Sequence, residues 1–258
     1  MRLMKRILSA AAVLALSASL LVGCSSGTAS SVPVSASSAA ESTVSSVEET
    51  ASSAVDENEA AAAQLLNDLT GSYQELWPVI LADEYKQTWL DDCTALVGED
   101  NAEAAFEKLS SMVTGDVYGE DAVKAYANGG GAYFCGFTNS LATLTFDGET
   151  STISGTDKDG NVLFSHTYHY IGMEPVHGLY EFESDDADSG EFTYFFLAPD
   201  TSAETYHIEF RYGSDADALS QYDAGDYAYW VASGISTDCD QTMIDNCIEL
   251  FCTENLAG

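Results

Sequence analysis

Between Ser140 and Gly213 the chain is cut into short runs: SLATLTF, STISGTD, NVLFSHTYHYI, GLYEFES, EFTYFFLAP and ETYHIEFRYG. Each alternates polar with apolar residues or is dense in aromatics, and turn pairs such as Asp147-Gly148, Asp159-Gly160 and Ser189-Gly190 divide them. Short strands joined by tight turns pair as antiparallel neighbours, and a meander that is wet on one face must curl to hide the other. The pattern predicts a mainly β domain, an antiparallel barrel or half-barrel, carrying accessory helices.

The helices fall on either side of the meander. ENEAAAAQLLNDL places Leu65, Leu66 and Leu69 on one side, and GSYQELW places Tyr73, Leu76 and Trp77 at helical spacing before Pro78. Further helical stretches follow beyond Asp83, in NAEAAFEKLSSMV and in EDAVKAYANGGG, the last ended by glycines. After the meander comes a loop rich in Tyr and Trp, YDAGDYAYW, and then a closing helix. That helix aligns Met243, Ile244, Cys247, Ile248 and Phe251 on one face, and Ser236-Thr237-Asp238 is its expected cap region.

The first 24 residues read as a secretion signal. Arg2, Lys5 and Arg6 give a basic start, an Ala- and Ser-rich apolar run follows, and Leu21-Val22-Gly23-Cys24 resembles a bacterial lipobox. The lipobox implies acylation of Cys24, which would hold the chain to the lipid bilayer at the extracellular face of the cell membrane, or facing the periplasm in a Gram-negative cell. Residues 25–60 are mostly Ser, Ala, Thr, Val and Glu, too poor in large apolar groups to offset the entropy of ordering, and read as a tether. Residues 61–258 are long enough for one domain.

Three of the eight basic residues lie in the leader, which leaves Lys86, Lys108, Lys124, Lys158 and Arg211 against 42 acidic residues. So negative a chain argues against nucleic acid as a partner. Cys93, Cys135, Cys239, Cys247 and Cys252 remain once Cys24 is set aside. Their spacings match no Cys-x-x-Cys motif, and no disulfide pairing can be read from them. No Ser/His/Asp set, phosphate loop or paired carboxylates stand at a defined spacing, so the sequence reads as a non-enzyme.

The chemistry concentrates in TYHIEFRYG. On a strand His207 and Glu209 share a face, roughly 7 Å apart along the backbone, with Arg211 two residues further on. An imidazole nitrogen and a carboxylate oxygen are both ligands for zinc or a similar divalent ion. A third ligand would have to come from His166, His169 or His177, with His169 the first choice because Tyr168 and Tyr170 flank it on a central strand. The alternative leaves His207 and Glu209 as polar positions on the wet side of an ordinary strand, with Arg211 pairing Glu209.

The order of segments resembles the ZinT (YodA) family. The resemblance is carried by LTGSYQELWPVI, with Gly71, Gln74 and Pro78, by the Ala198-Pro199 pair between two strands, and by Gly213 after the last strand. It implies a lipocalin-like (calycin) barrel and an exported Zn2+-binding protein of a kind fused, in some bacteria, to the solute-binding component of a zinc importer. It also implies three histidine ligands, one before the Ala-Pro pair and two in a His-x-His after it. Here His207 and Glu209 fall on the last two and Phe195 on the first. A second reading is a metal-independent barrel that takes an organic ligand or a partner protein at its mouth, with YDAGDYAYW as the contact surface.

Overall fold

The computed structural model describes residues 57–257. The leader, Cys24 and all but the last residues of the tether lie outside that range. Eight antiparallel strands close into a barrel in simple chain order: β1 (Gly71–Glu75), β2 (Thr143–Asp147), β3 (Thr152–Thr156), β4 (Val162–Met173), β5 (Tyr180–Ser184), β6 (Tyr194–Leu197), β7 (Ile208–Gly213) and β8 (Ala232–Ser236). The helices are α1 (57–68), α2 (Leu76–Ile80), α3 (Lys86–Val97), α4 (Glu99–Val113), α5 (Glu120–Ala127), α6 (Ser202–Thr205), α7 (Ala216–Leu219) and α8 (Gln241–Leu256).

Directly opposed residues of an antiparallel pair point to the same face, so the register defines the interior. Tyr73 opposes Leu144, Leu144 opposes Gly155, and Gly155 opposes Phe164. Across the barrel Phe182 opposes Phe195 and Phe195 opposes Tyr212, while Ile208 opposes Gly234. This face is dry and largely aromatic: Tyr73, Phe146, Ile153, Phe164, Tyr168, Phe182, Phe195, Phe210 and Tyr212 are all buried. Phe195 lies 5.4 Å from both Tyr168 and Tyr212 between ring centroids, and Phe137 enters from the segment before β2 to meet Phe210 at 5.4 Å.

Two strands depart from the sequence expectation, and they are the two that close the barrel. Gly71–Glu75 is extended, pairing with both β2 and β8, so Tyr73 belongs to a strand, and the helix holding Leu76 and Trp77 begins only after it. Tyr73 is the one fully buried residue in this strand, too little to imprint a period of two. Ala232–Ser236 is a strand where a loop is expected; its residues, small apart from Ile235, are covered on both faces, so no alternation marks it. The cap of α8 is correspondingly later than expected. Ser236 ends β8, and it is Asp240 whose carboxylate accepts from the Met243 N–H at 2.9 Å.

Outside the barrel α3, α4 and α8 pack together. Trp89 is wholly buried among them, its indole N–H donating to the Ile80 carbonyl at 2.7 Å and its ring set edge-on to Phe251. The helical face expected of α8 is the one observed, with Ile244, Cys247, Ile248 and Phe251 buried and Cys252 beside them.

Gly155 marks how full the interior is. A methyl group there would sit 2.4 Å from Leu141 Cδ1 and 2.5 Å from Phe164 Cε1, both buried side chains. Gly155→Ala is expected to cost about 1–3 kcal/mol in urea unfolding. Combined with Leu141→Ala, it should cost measurably less than the two single changes added together, because the first side chain then occupies space vacated by the second.

Candidate functional site

Glu209 and Arg211 lie on the opposite face of β7 from Phe210 and Tyr212, and this outer face is buried as well. On most of the barrel the outer face is wet: Ser165, Thr167 and His169 of β4 are exposed. On β7 it lies beneath the helices and the long loop before β8.

Arg211 makes that cover. Its guanidinium donates to the carbonyl oxygens of Leu219, Gln221 and Tyr227 and sits 4.2 Å from the centroid of the Tyr222 ring. The loop from α7 to Trp230 is thereby folded onto the strand. Burial pulls the Arg211 pKa down, opposed by Tyr222, Tyr133 and Glu174. Glu174, fully buried in the β4–β5 connection, accepts from the backbone N–H groups of Val176 at 3.0 Å and His177 at 2.5 Å. The His177 ring meets Tyr222 at a tilt, 3.8 Å between ring centroids.

At the start of β7 the chain makes a tight entry. Thr201 and Glu204 form a reciprocal cap on α6, and Tyr206 then adopts a left-handed conformation, φ +65°, so regular pairing begins at Ile208 rather than at Thr205. This turn brings the Thr205 carbonyl to the His207 ring, 2.7 Å from Nδ1. A carbonyl only accepts, so Nδ1 carries the hydrogen, and in the neutral ring Nε2 is the nitrogen with the lone pair. Nε2 faces Glu209 Oε1 at 3.9 Å, and both side chains are almost completely buried. Cys247 Sγ, from α8, lies 3.9 Å from Nδ1. Burial alone would hold the imidazole neutral, yet contact with Cys247 and Glu209 outweighs it and raises the pKa to about 10.

The histidines expected to complete the site are elsewhere. His169 stands on the exposed outer face of β4, bonded through Nδ1 to Asp185 at 2.7 Å. The flanking tyrosines that suggested a central, ligating position are instead the inward residues of that strand, so His169 alternates away from them. His166 is tied to Asp186 at 2.7 Å, and His177 belongs to the Glu174 cluster. Phe195 faces the interior with Tyr212, on the side opposite to Glu209. Among the described residues no group of three or more His, Cys, Asp or Glu is placed to hold a metal ion. Two donors stand close to one another: their 3.9 Å separation exceeds hydrogen-bond reach and is about 0.5 Å wider than that of two ligands bonded to one tetrahedral ion at roughly 2.0–2.2 Å, so sharing a cation takes a small inward shift of the two side chains. A three-histidine site does not fit. The sequence reading also missed Cys247, counted only as a core residue, and Glu174, whose signal was an acid inside the apolar turn Met173-Glu174-Pro175-Val176.

No family model and no curated protein matches the chain. Solved structures do. The chain is similar to a ZinT-like domain. That domain, from AdcA of Streptococcus pneumoniae in its Zn(II)-bound form, is 15% identical with a TM-score of 0.46, over 72% of this chain and 89% of that one. Zn(II)-bound AdcA from the same organism is 14% identical with a TM-score of 0.42, over 75% of this chain and 35% of that chain, so this protein spans about a third of AdcA.

Glu174 offers a pH test of the buried cluster. Burial opposes its charge, but the His177 side chain and the two backbone N–H groups outweigh it and hold the pKa below the usual carboxylate value. A carboxyl whose pKa is depressed on folding contributes stability that is present above pH ~4.5 and lost as pH falls through the folded value. Glu174→Gln should therefore destabilise the protein at pH 7 by roughly 1–3 kcal/mol and by less at pH 3, seen as converging urea midpoints.

Proposed function

We propose that this protein is a cell-surface, lipid-anchored binder of a divalent cation, zinc first among them, with His207 Nε2 and the Glu209 carboxylate as its protein ligands. The observation that supports this reading is the local geometry. Nδ1 is committed to the Thr205 carbonyl, the arrangement that fixes the tautomer of a ligating histidine, and two electron-pair donors then face one another in a buried position at 3.9 Å. Both donors attract positive charge, and a metal ion competes there with a proton. The remaining coordination positions fall to water or to a donor from another molecule, which suits a protein that passes its cation on, in this proposal to a zinc importer in the same membrane. Binding and delivery need no catalytic step from this chain. The packed aromatic interior weighs against the rival reading of an organic ligand held within the barrel.

Calorimetric titration with zinc should give one site per chain. His207→Ala is expected to weaken it about 100-fold and Glu209→Gln about 10-fold. Because the ring binds a proton up to about pH 10, zinc must displace it, so affinity should rise about tenfold per pH unit between pH 6 and 8, with proton release detectable as a buffer-dependent heat. Wild-type affinity in His207→Ala would assign any bound zinc to the acidic surface and end this reading.

The anchor rests on Leu21-Val22-Gly23-Cys24. In a bacterial host Cys24→Ala should shift most of the protein from the membrane fraction to the soluble extracytoplasmic fraction, while unchanged partitioning would remove the lipid from the proposal.

A further inference from the structure

Helices α3 and α8 meet along a buried seam where Trp89 contacts Phe251 and, beside them, Cys93 faces Cys252. The two sulfur atoms are 3.9 Å apart and neither side chain has exposed surface. We infer that Cys93 and Cys252 are a redox pair that closes into a disulfide, tying α3 to α8, when the chain folds in the presence of an external disulfide.

Proximity and packing both favour this pair. A disulfide places its sulfurs about 2.05 Å apart, so the thiols need approach by roughly 2 Å, within reach of side-chain rotation and a small shift of two helices already in contact. The other thiols are differently engaged. Cys247 lies against His207, and Cys135 is buried below β8, its backbone carbonyl accepting from the Ser233 N–H at 3.1 Å. Cys247 and Cys252 share one helix five residues apart, a rise of about 7.5 Å, and cannot bond to each other there. Cys239 precedes that helix and is only partly buried.

The reaction is ordinary exchange. One protein thiolate attacks a sulfur of a small-molecule disulfide, forming a mixed disulfide and expelling the first external thiolate. The second protein thiolate then attacks the protein-bound sulfur, forming the Cys93–Cys252 bond and expelling the second external thiolate. The two protein thiols lose two electrons and two protons, and the external disulfide gains them as two thiols. Burial raises the pKa of both cysteines in the folded protein, and at Cys252 the neighbouring Cys93 and Asp92 add to it. Neither is then a ready nucleophile in the folded protein, so the first exchange precedes full docking of α8, the second closes the bond as the two helices meet, and the disulfide is sheltered from reductant afterwards. The cross-link joins residues 159 apart, enclosing α4, α5 and the whole meander in one covalent loop.

The test is a thiol map of the full chain, denatured, reduced and refolded in a reduced/oxidised glutathione buffer, which makes the result independent of where the protein resides. Free thiols are alkylated under denaturing conditions, the sample is reduced, and a second, heavier alkylating reagent is added. Cys93 and Cys252 should carry the second label and appear as one cross-linked peptide before reduction, while Cys135 and Cys247 carry the first. The oxidised protein should melt about 5–15 °C above the same protein in reductant. The paired Cys93→Ala, Cys252→Ala variant, which conserves a buried apolar seam, should show no such difference between the two conditions. First-label alkylation of both cysteines, or a cross-linked peptide joining either to a different cysteine, would overturn the assignment.

Discussion

Arg211 carries a fixed positive charge with no exposed surface, on the outer face of a strand in a chain with 8 Lys and Arg against 42 Asp and Glu. A charge in that position is stable only if oxygen atoms are brought to it. Here they are main-chain carbonyls, three of them from a loop that makes little regular structure of its own. The guanidinium therefore organises the backbone of that loop and sets Tyr222 in place. It also decides what kind of place the outer face of β7 is. Without the loop drawn across it, Arg211 would be an ordinary solvated residue.

The barrel thus has two dry regions separated by a single strand. One is the aromatic interior, where Phe195, Phe210 and Tyr212 meet. The other is the polar layer under α8 and the β8 loop, where His207, Glu209, Arg211, Glu174 and His177 are buried together. A lipocalin-like outline invites a search for a ligand among the strands, yet the titratable chemistry has been moved outside them. The interior supplies cohesion, and the polar layer supplies groups whose charge states depend on one another.

The meander was legible because its strands alternate: β2, β3 and most of β4 show one covered face and one wet face in the sequence itself. The closing helix was legible for the same reason, at its own period. β1 and β8 were not, since one offers a single large inward residue and the other is small and covered on both sides. Of the site, the pairing of His207 with Glu209 followed from two-residue spacing on a strand. His169 could not be placed in that way, because its flanking tyrosines look alike in sequence whether they point inward or outward. Burial of the outer face of β7 at Arg211 was invisible too, since it is caused by hydrogen bonds to main-chain atoms of the following loop, 8, 10 and 16 residues on, which side-chain patterns do not record.

The pairing of β1 with β8 has a consequence in time as well as in space. The strand nearest the start of the domain finds its second partner only when residues 232–236 exist. Until then a growing chain holds an unfinished sheet with two open edges, and its final helix, which shelters much of the hydrophobic seam outside the barrel, is also still missing. Closure of such a topology waits for residues 232–236, and until they are in place the earlier strands are exposed to stray edge-to-edge association. The dense negative charge spread over the chain is well suited to keeping those waiting strands apart.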